Sequence, residues 1–170
     1  MSNNRTQRLV FTSLLAALTC VTTMAVTIPT PLGGYVNLGD AIVLLSATLL
    51  SPLYAVFAAG VGSALADLFS GYALYAPATL LIKGLMALIA YAVINSFKGD
   101  KKFLPRALGA LLAALWMVIG YYVFEGFLYG FGASLVNVPA NAIQGAVGAA
   151  FGVLLVQLIQ KVSPGIGKQE

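Results

Sequence analysis

Long apolar blocks, such as residues 41–50 and 107–123, run along this chain and are separated by short polar or Pro- and Gly-rich breaks. Blocks of that length read as bilayer-spanning helices rather than as the core of a soluble domain of this size. Taken between the breaks, they predict six spans: 9–28, 40–50, 53–69, 77–94, 107–127 and 139–160. Ile28-Pro29-Thr30-Pro31 closes the first, Ser51-Pro52 stops the second, and Pro77 suits the first turn of the fourth. The second span is too short to cross a full bilayer. It needs help from its flanks or from local thinning, or it merges with the preceding loop. The expectation is an all-α integral membrane protein, a compact six-transmembrane-helix bundle in which residues 1–170 form a single membrane domain.

The composition agrees, with 60% hydrophobic and 8% charged residues, and abundant Gly for close helix packing in lipid. One cysteine and no histidine exclude a disulfide framework and argue against zinc, haem or iron–sulfur chemistry. The first apolar stretch is too long for the core of a cleavable signal. The basic residues set the orientation. Arg5 and Arg8 precede the first span, Lys98, Lys101, Lys102 and Arg106 lie between the fourth and fifth, and Lys161 and Lys168 follow the sixth. The opposite loops carry no Lys or Arg, so both termini are expected in the cytoplasm.

Threaded that way, several costly polar residues fall at one depth in the outer half: Asp40, Asp67, Lys83, Glu125, Asn141 and Gln144. Lys83 lies six residues past Pro77, roughly 9 Å down the helix. Asn141 and Gln144, three apart, share one helix face, and a helical turn before them extends that face to Asn137. Trp116, Tyr121 and Tyr122, with Tyr35, Tyr72, Tyr75 and Tyr129 in the outer loops, add aromatic surface. Each has a plainer reading. Asp40, expected at the outer surface, and Asp67 can cap helices, Glu125 can be an interfacial carboxylate, and the loop tyrosines can be belt anchors. Lys83 either snorkels to headgroups or pairs with a carboxylate, Glu125 being the first choice because the fourth and fifth spans are consecutive. The favoured reading is a site for a small polar molecule.

Small residues recur at spacing four. Ala58, Gly62 and Ala66, and Gly148 and Gly152, read as internal packing. On the first span Thr12, Ala16 and Cys20 form one stripe, and Ser13 and Ala17 an adjacent one. These lie in the cytoplasmic half and are expected to dock a partner's helices.

With Tyr35-Val36-Asn37-Leu38-Gly39-Asp40, Gly62-Ser63-Ala64-Leu65-Ala66-Asp67-Leu68 and Pro139-Ala140-Asn141-Ala142-Ile143-Gln144 in order, the whole chain resembles the S components of energy-coupling factor (ECF) vitamin transporters. The resemblance implies a substrate-capturing subunit of an ABC-type importer in a prokaryotic cell membrane, multi-pass and not an enzyme. A transmembrane coupling protein and two cytoplasmic ATPases would complete it. They would use the ATP, and this chain, which has no Walker A motif, would carry no cofactor. The family's first-helix motif is Ala-x-x-x-Ala, which this chain replaces by the small-residue variants above. The members it most resembles take hydroxymethylpyrimidine or pyridoxine, whose hydroxymethyl-bearing rings suit amide groups and aromatic stacking. Pantothenate, riboflavin or a deazapurine precursor stay open. The expected substrate contacts are Asn37, Lys83, Trp116, Tyr121, Tyr122, Glu125, Asn141 and Gln144. The alternative is a stand-alone ion-coupled permease with Lys83 or Glu125 carrying the proton, although the spans show no inverted repeat.

Overall fold

The computed structural model describes residues 2–97 and 103–162, with side chains from Arg5 onward; Lys98, Lys101, Lys102 and Lys168 of the orientation argument lie outside the described residues. Helix α1 (Ser2–Ala25) leads into a two-stranded hairpin, β1 (Ile28–Pro29) and β2 (Tyr35–Val36), then α2 (Asp40–Leu49) and α3 (Pro52–Phe69). There follow α4 (Ala76–Ser96), α5 (Phe103–Tyr129), the short α6 (Phe131–Ser134), a 3₁₀ turn (Leu135–Asn137) and α7 (Val138–Val162).

Five of these segments are long and apolar enough to cross a membrane: α1, α3, α4, α5 and the run from α6 through α7. Helix α2 is the exception. Its ten residues reach about 15 Å, half the thickness of a hydrocarbon core. It packs against α1, α3, α4 and α7, and every residue except Thr48 is buried. The second apolar block is thus the centre of the bundle, and the loop before it descends to meet it.

That loop is more ordered than a plain connection. The first helix ends at Ala25, short of the sequence-based boundary at residue 28, because Pro29 and Pro31 disfavour helical geometry in the residues before them. Ile28 instead pairs with Val36 and Pro29 with Tyr35, in an antiparallel hairpin turned at Gly33 with φ +83°. Between the expected spans 107–127 and 139–160 the break reduces to Gly130 (φ +91°), after which the chain is helical again. Asn137 therefore lies in a helical turn and is fully buried.

Small residues set the helix crossings. A Cβ on Gly60 would stand 2.7 Å from the Leu80 carbonyl oxygen, and one on Gly148 2.5 Å from the Asp40 Cβ. A Cβ on Gly62 would run into the Ala16 carbonyl oxygen, so α1 and α3 touch backbone to backbone. This corrects the expected docking stripe. Thr12 and Cys20 are buried and the Ala16 backbone faces α3, while Ser13 and Ala17 are exposed. The 3.6-residue period puts these two stripes about 100° apart, so packing one inward leaves the other outward. Large apolar side chains such as Leu14, Leu111 and Leu154 cover the outward surface, and the polar residues are inside.

Candidate binding site

The polar level forms a narrow cavity bounded by the hairpin loop and by α1, α3, α4, α5 and α7. Three helices each present a pair four residues apart: Ser63 and Asp67 on α3, Thr79 and Lys83 on α4, Tyr121 and Glu125 on α5. Such spacing stacks both side chains on one face. Asn141 closes the wall from α7, Thr23 from α1, and Thr30, Gly34, Tyr35 and Asn37 from the loop.

At the base of the cavity Lys83 forms an ion pair with Asp40, the first residue of α2. Their side chains are 2% and 0% exposed. The second Asp40 oxygen accepts from the Gln144 amide at 2.9 Å, and the Gln144 carbonyl accepts from the Asn37 backbone N–H at 2.8 Å. The ammonium also stands 5.7 Å from the centre of the Tyr121 ring, within reach of a cation–π attraction. Asp40, expected at the surface, is buried because α2 begins inside the bundle. Lys83 accordingly pairs with Asp40 and not with Glu125.

The other two carboxylates have neutral partners. Tyr35 donates to Asp67 Oδ1 at 2.6 Å, and Asn137 donates to Glu125 Oε1 at 2.9 Å. The Tyr75 hydroxyl stands 3.2 Å from both Glu125 Oε1 and the Leu32 carbonyl, and serves one of them at a time. Burial raises the Tyr35 phenol well above its ordinary value, helped by its bond to Asp67. Burial raises Tyr75 as well, helped by the charge on Glu125. Both phenols thus remain donors at neutral pH. Asp67 Oδ2 and Glu125 Oε2 are buried without a hydrogen-bond partner, as are the hydroxyls of Thr23, Thr30 and Ser63. The cavity is therefore rich in acceptors. Lys83–Asp40 is the ion pair among the described residues, so Asp67 and Glu125 face it without a cation of their own. No group of three or more His, Cys, Asp or Glu among the described residues is placed to hold a metal.

Of the expected contacts, Asn37, Lys83, Tyr121, Glu125 and Asn141 line the cavity. Gln144 stands one layer behind, bonded to Asp40. Trp116 and Tyr122 are not on the wall. The Trp116 indole donates to the Ile82 carbonyl at 3.1 Å, joining α5 to α4, and the Tyr122 ring packs edge-on to Phe131 at 5.8 Å. Tyr35, Tyr75, Thr23, Thr30, Ser63 and Thr79 were missed as contacts. The repeated i, i+4 polar pairs on apolar helices were the signal for Ser63 and Thr79. Nothing in the sequence places the two loop tyrosines against carboxylates.

The sequence model of the family described as ECF-type riboflavin transporter, S component, matches residues 3–161. A Pyrococcus woesei protein described as "Uncharacterized protein in gap 3'region" is 39% identical over 143 residues, which cover 83% of this chain and 93% of that one. The thiamine precursor transporter HmpT of Lactococcus lactis is 28% identical over 163 residues, 95% of this chain and 92% of its own.

Proposed function

This chain belongs to the family of ECF-type transporter S components, membrane-embedded subunits of vitamin uptake and not enzymes, and we propose that it captures a single-ring nitrogen heterocycle of the hydroxymethylpyrimidine or pyridoxine type. The observation that carries this reading is the pair of buried carboxylates that line one narrow cavity, each with one oxygen that has no hydrogen-bond partner. Carboxylate oxygens only accept, so a ligand that satisfies them brings N–H or O–H groups. An aminopyrimidine offers an exocyclic amine and a hydroxymethyl group; pyridoxine offers hydroxyls and a basic ring nitrogen. Lys83, on the same wall, is already paired with Asp40, so Asp67 and Glu125 leave the cavity unfavourable to anions, which disfavours pantothenate and phosphorylated ligands. The printed name of HmpT, a thiamine precursor transporter, accords with this choice.

In this reading the cavity opens outside. Arg5, Arg8, Arg106 and Lys161 lie at the helix ends opposite the cavity, which supports a cytoplasmic placement of that end. The substrate is then delivered inward with a transmembrane coupling protein and two ATPases that spend the ATP, and this chain binds no cofactor. Ser13 and Ala17, exposed on α1, are the small residues free to meet the coupling protein.

Calorimetry on the purified chain tests the reading. It should bind 4-amino-5-hydroxymethyl-2-methylpyrimidine or pyridoxine, with Asp67→Asn and Glu125→Gln each weakening binding about tenfold or more, as expected for a lost charge-assisted bond. Failure of both compounds to bind, or unchanged affinity in both variants, overturns it. Uptake by the chain alone in liposomes would point to a permease instead.

A further inference from the structure

Three amides share one face of α7 and of the turn before it: Asn137, Asn141 and Gln144, spaced four and three residues apart. The first and last are engaged. Asn137 donates to Glu125 Oε1 at 2.9 Å, and Gln144 donates to Asp40 Oδ2 at 2.9 Å while accepting from the Asn37 N–H. Asn141, between them, lines the polar cavity and is 6% exposed, yet its side chain has no hydrogen bond to any described residue. Unlike the unpartnered hydroxyls of Thr30 and Ser63, its amide is not sealed in, so a ligand in the cavity can reach it. A buried amide without partners is costly, and the other two on this face avoid that cost.

We infer that Asn141 selects ligands with an amidine edge, a ring nitrogen beside an exocyclic amine; this rests on the cavity being the substrate site. A primary amide presents a donor and an acceptor side by side in one plane. Its complement is an acceptor beside a donor at the same spacing, the arrangement by which asparagine takes an adenine amine together with the neighbouring ring nitrogen. A 4-aminopyrimidine carries this edge. The second N–H of its amine is then left for a carboxylate, and Asp67 and Glu125 line the same cavity with one unpartnered oxygen each. Pyridoxine lacks the edge, since its ring nitrogen stands between a methyl-bearing carbon and a C–H. With Asn137 bonded to Glu125 and Gln144 to Asp40, neither flanking amide is available to satisfy Asn141 in the ligand's place. The site therefore favours the aminopyrimidine over pyridoxine, two ligands that the carboxylates alone do not tell apart.

The test is calorimetry of 4-amino-5-hydroxymethyl-2-methylpyrimidine and of pyridoxine on the purified full chain and on Asn141→Leu, with thermal melting of both proteins. The wild type should bind the aminopyrimidine about tenfold or more tightly than pyridoxine, the scale of one bidentate amide contact. Asn141→Leu should lose that preference, through a fall of about tenfold or more in aminopyrimidine affinity and little change for pyridoxine. Because the Asn141 side chain holds no described residue, the melting temperature of the variant should not fall. Asn141→Ala serves the same comparison if the leucine variant does not fold. Equal affinity for the two compounds in the wild type, or an equal loss of both in the variant, overturns the inference and leaves the heterocycle reading standing. So does an aminopyrimidine affinity that the substitution leaves unchanged. Binding of neither compound by the wild type overturns both readings.

Discussion

Lys83 on α4 and Asp40 at the start of α2 form an ion pair that is almost wholly withdrawn from the surroundings, with exposures of 2% and 0%. Two charges taken out of water are tolerable together and costly apart. Lys83→Met should therefore destabilise the protein by about 3–5 kcal/mol, the range for an orphaned buried charge. Adding Asp40→Asn should recover part of that loss, whereas adding Glu125→Gln should not. Thermal melting in detergent of the three proteins decides it, and equal rescue by both second substitutions would assign the pairing elsewhere.

Tyr35 gives a pH signature. Its folded-state value lies above the ordinary phenol value of about 10, through burial first and the Asp67 bond second. The sign follows from linkage: the contribution is fully present below about pH 10 and is lost as pH rises toward the folded value, because the unfolded chain releases the proton first. Melting temperature should stay level in this respect between pH 7 and about 9 and fall above about 10. Tyr35→Phe should start lower and fall less steeply. An identical alkaline slope in both proteins would mean that this phenol is not held in its protonated form.

The two faces of α1 separate folding from partner docking. Ala16→Trp strikes the backbone contact with Gly62 and should lower the melting temperature of the isolated chain. Ala17→Trp sits on the exposed face, so the isolated chain should keep its stability and ligand affinity while losing assembly with the coupling protein. Co-purification with the coupling module reads the second effect. Wild-type assembly in the Ala17→Trp variant would remove this face from the docking surface.

Trp116 should matter for packing and little for the ligand. Its indole bonds the Ile82 carbonyl rather than facing the cavity, so Trp116→Phe should cost about 1 kcal/mol of stability and leave ligand affinity near wild type. A tenfold loss of affinity at unchanged melting temperature would place the ring against the ligand after all.

What the sequence determined by itself was the class of the protein and the level of its buried polar cluster. Lipid offers no partners to a polar side chain, so length and hydropathy identify membrane helices, and the helical rise sets the relative depth of Asp67, Lys83, Glu125, Asn141 and Gln144. Helical spacing also says that Asn141 shares a face with Gln144, and Thr12 with Ala16. It does not say what that face meets. Rotation of each helix and choice of neighbour come from packing, which is non-local, so the tertiary structure alone buried Thr12 and Cys20, set the Ala16 backbone against Gly62 of α3 and took Trp116 off the wall. Hydropathy likewise reads the same for a spanning helix and for one enclosed by others, so α2 as the buried centre, and Asp40 as the partner of Lys83, became visible only in the fold. The hairpin that brings Tyr35 to Asp67 joins residues 32 apart, and local sequence carries no record of a contact closed at that distance.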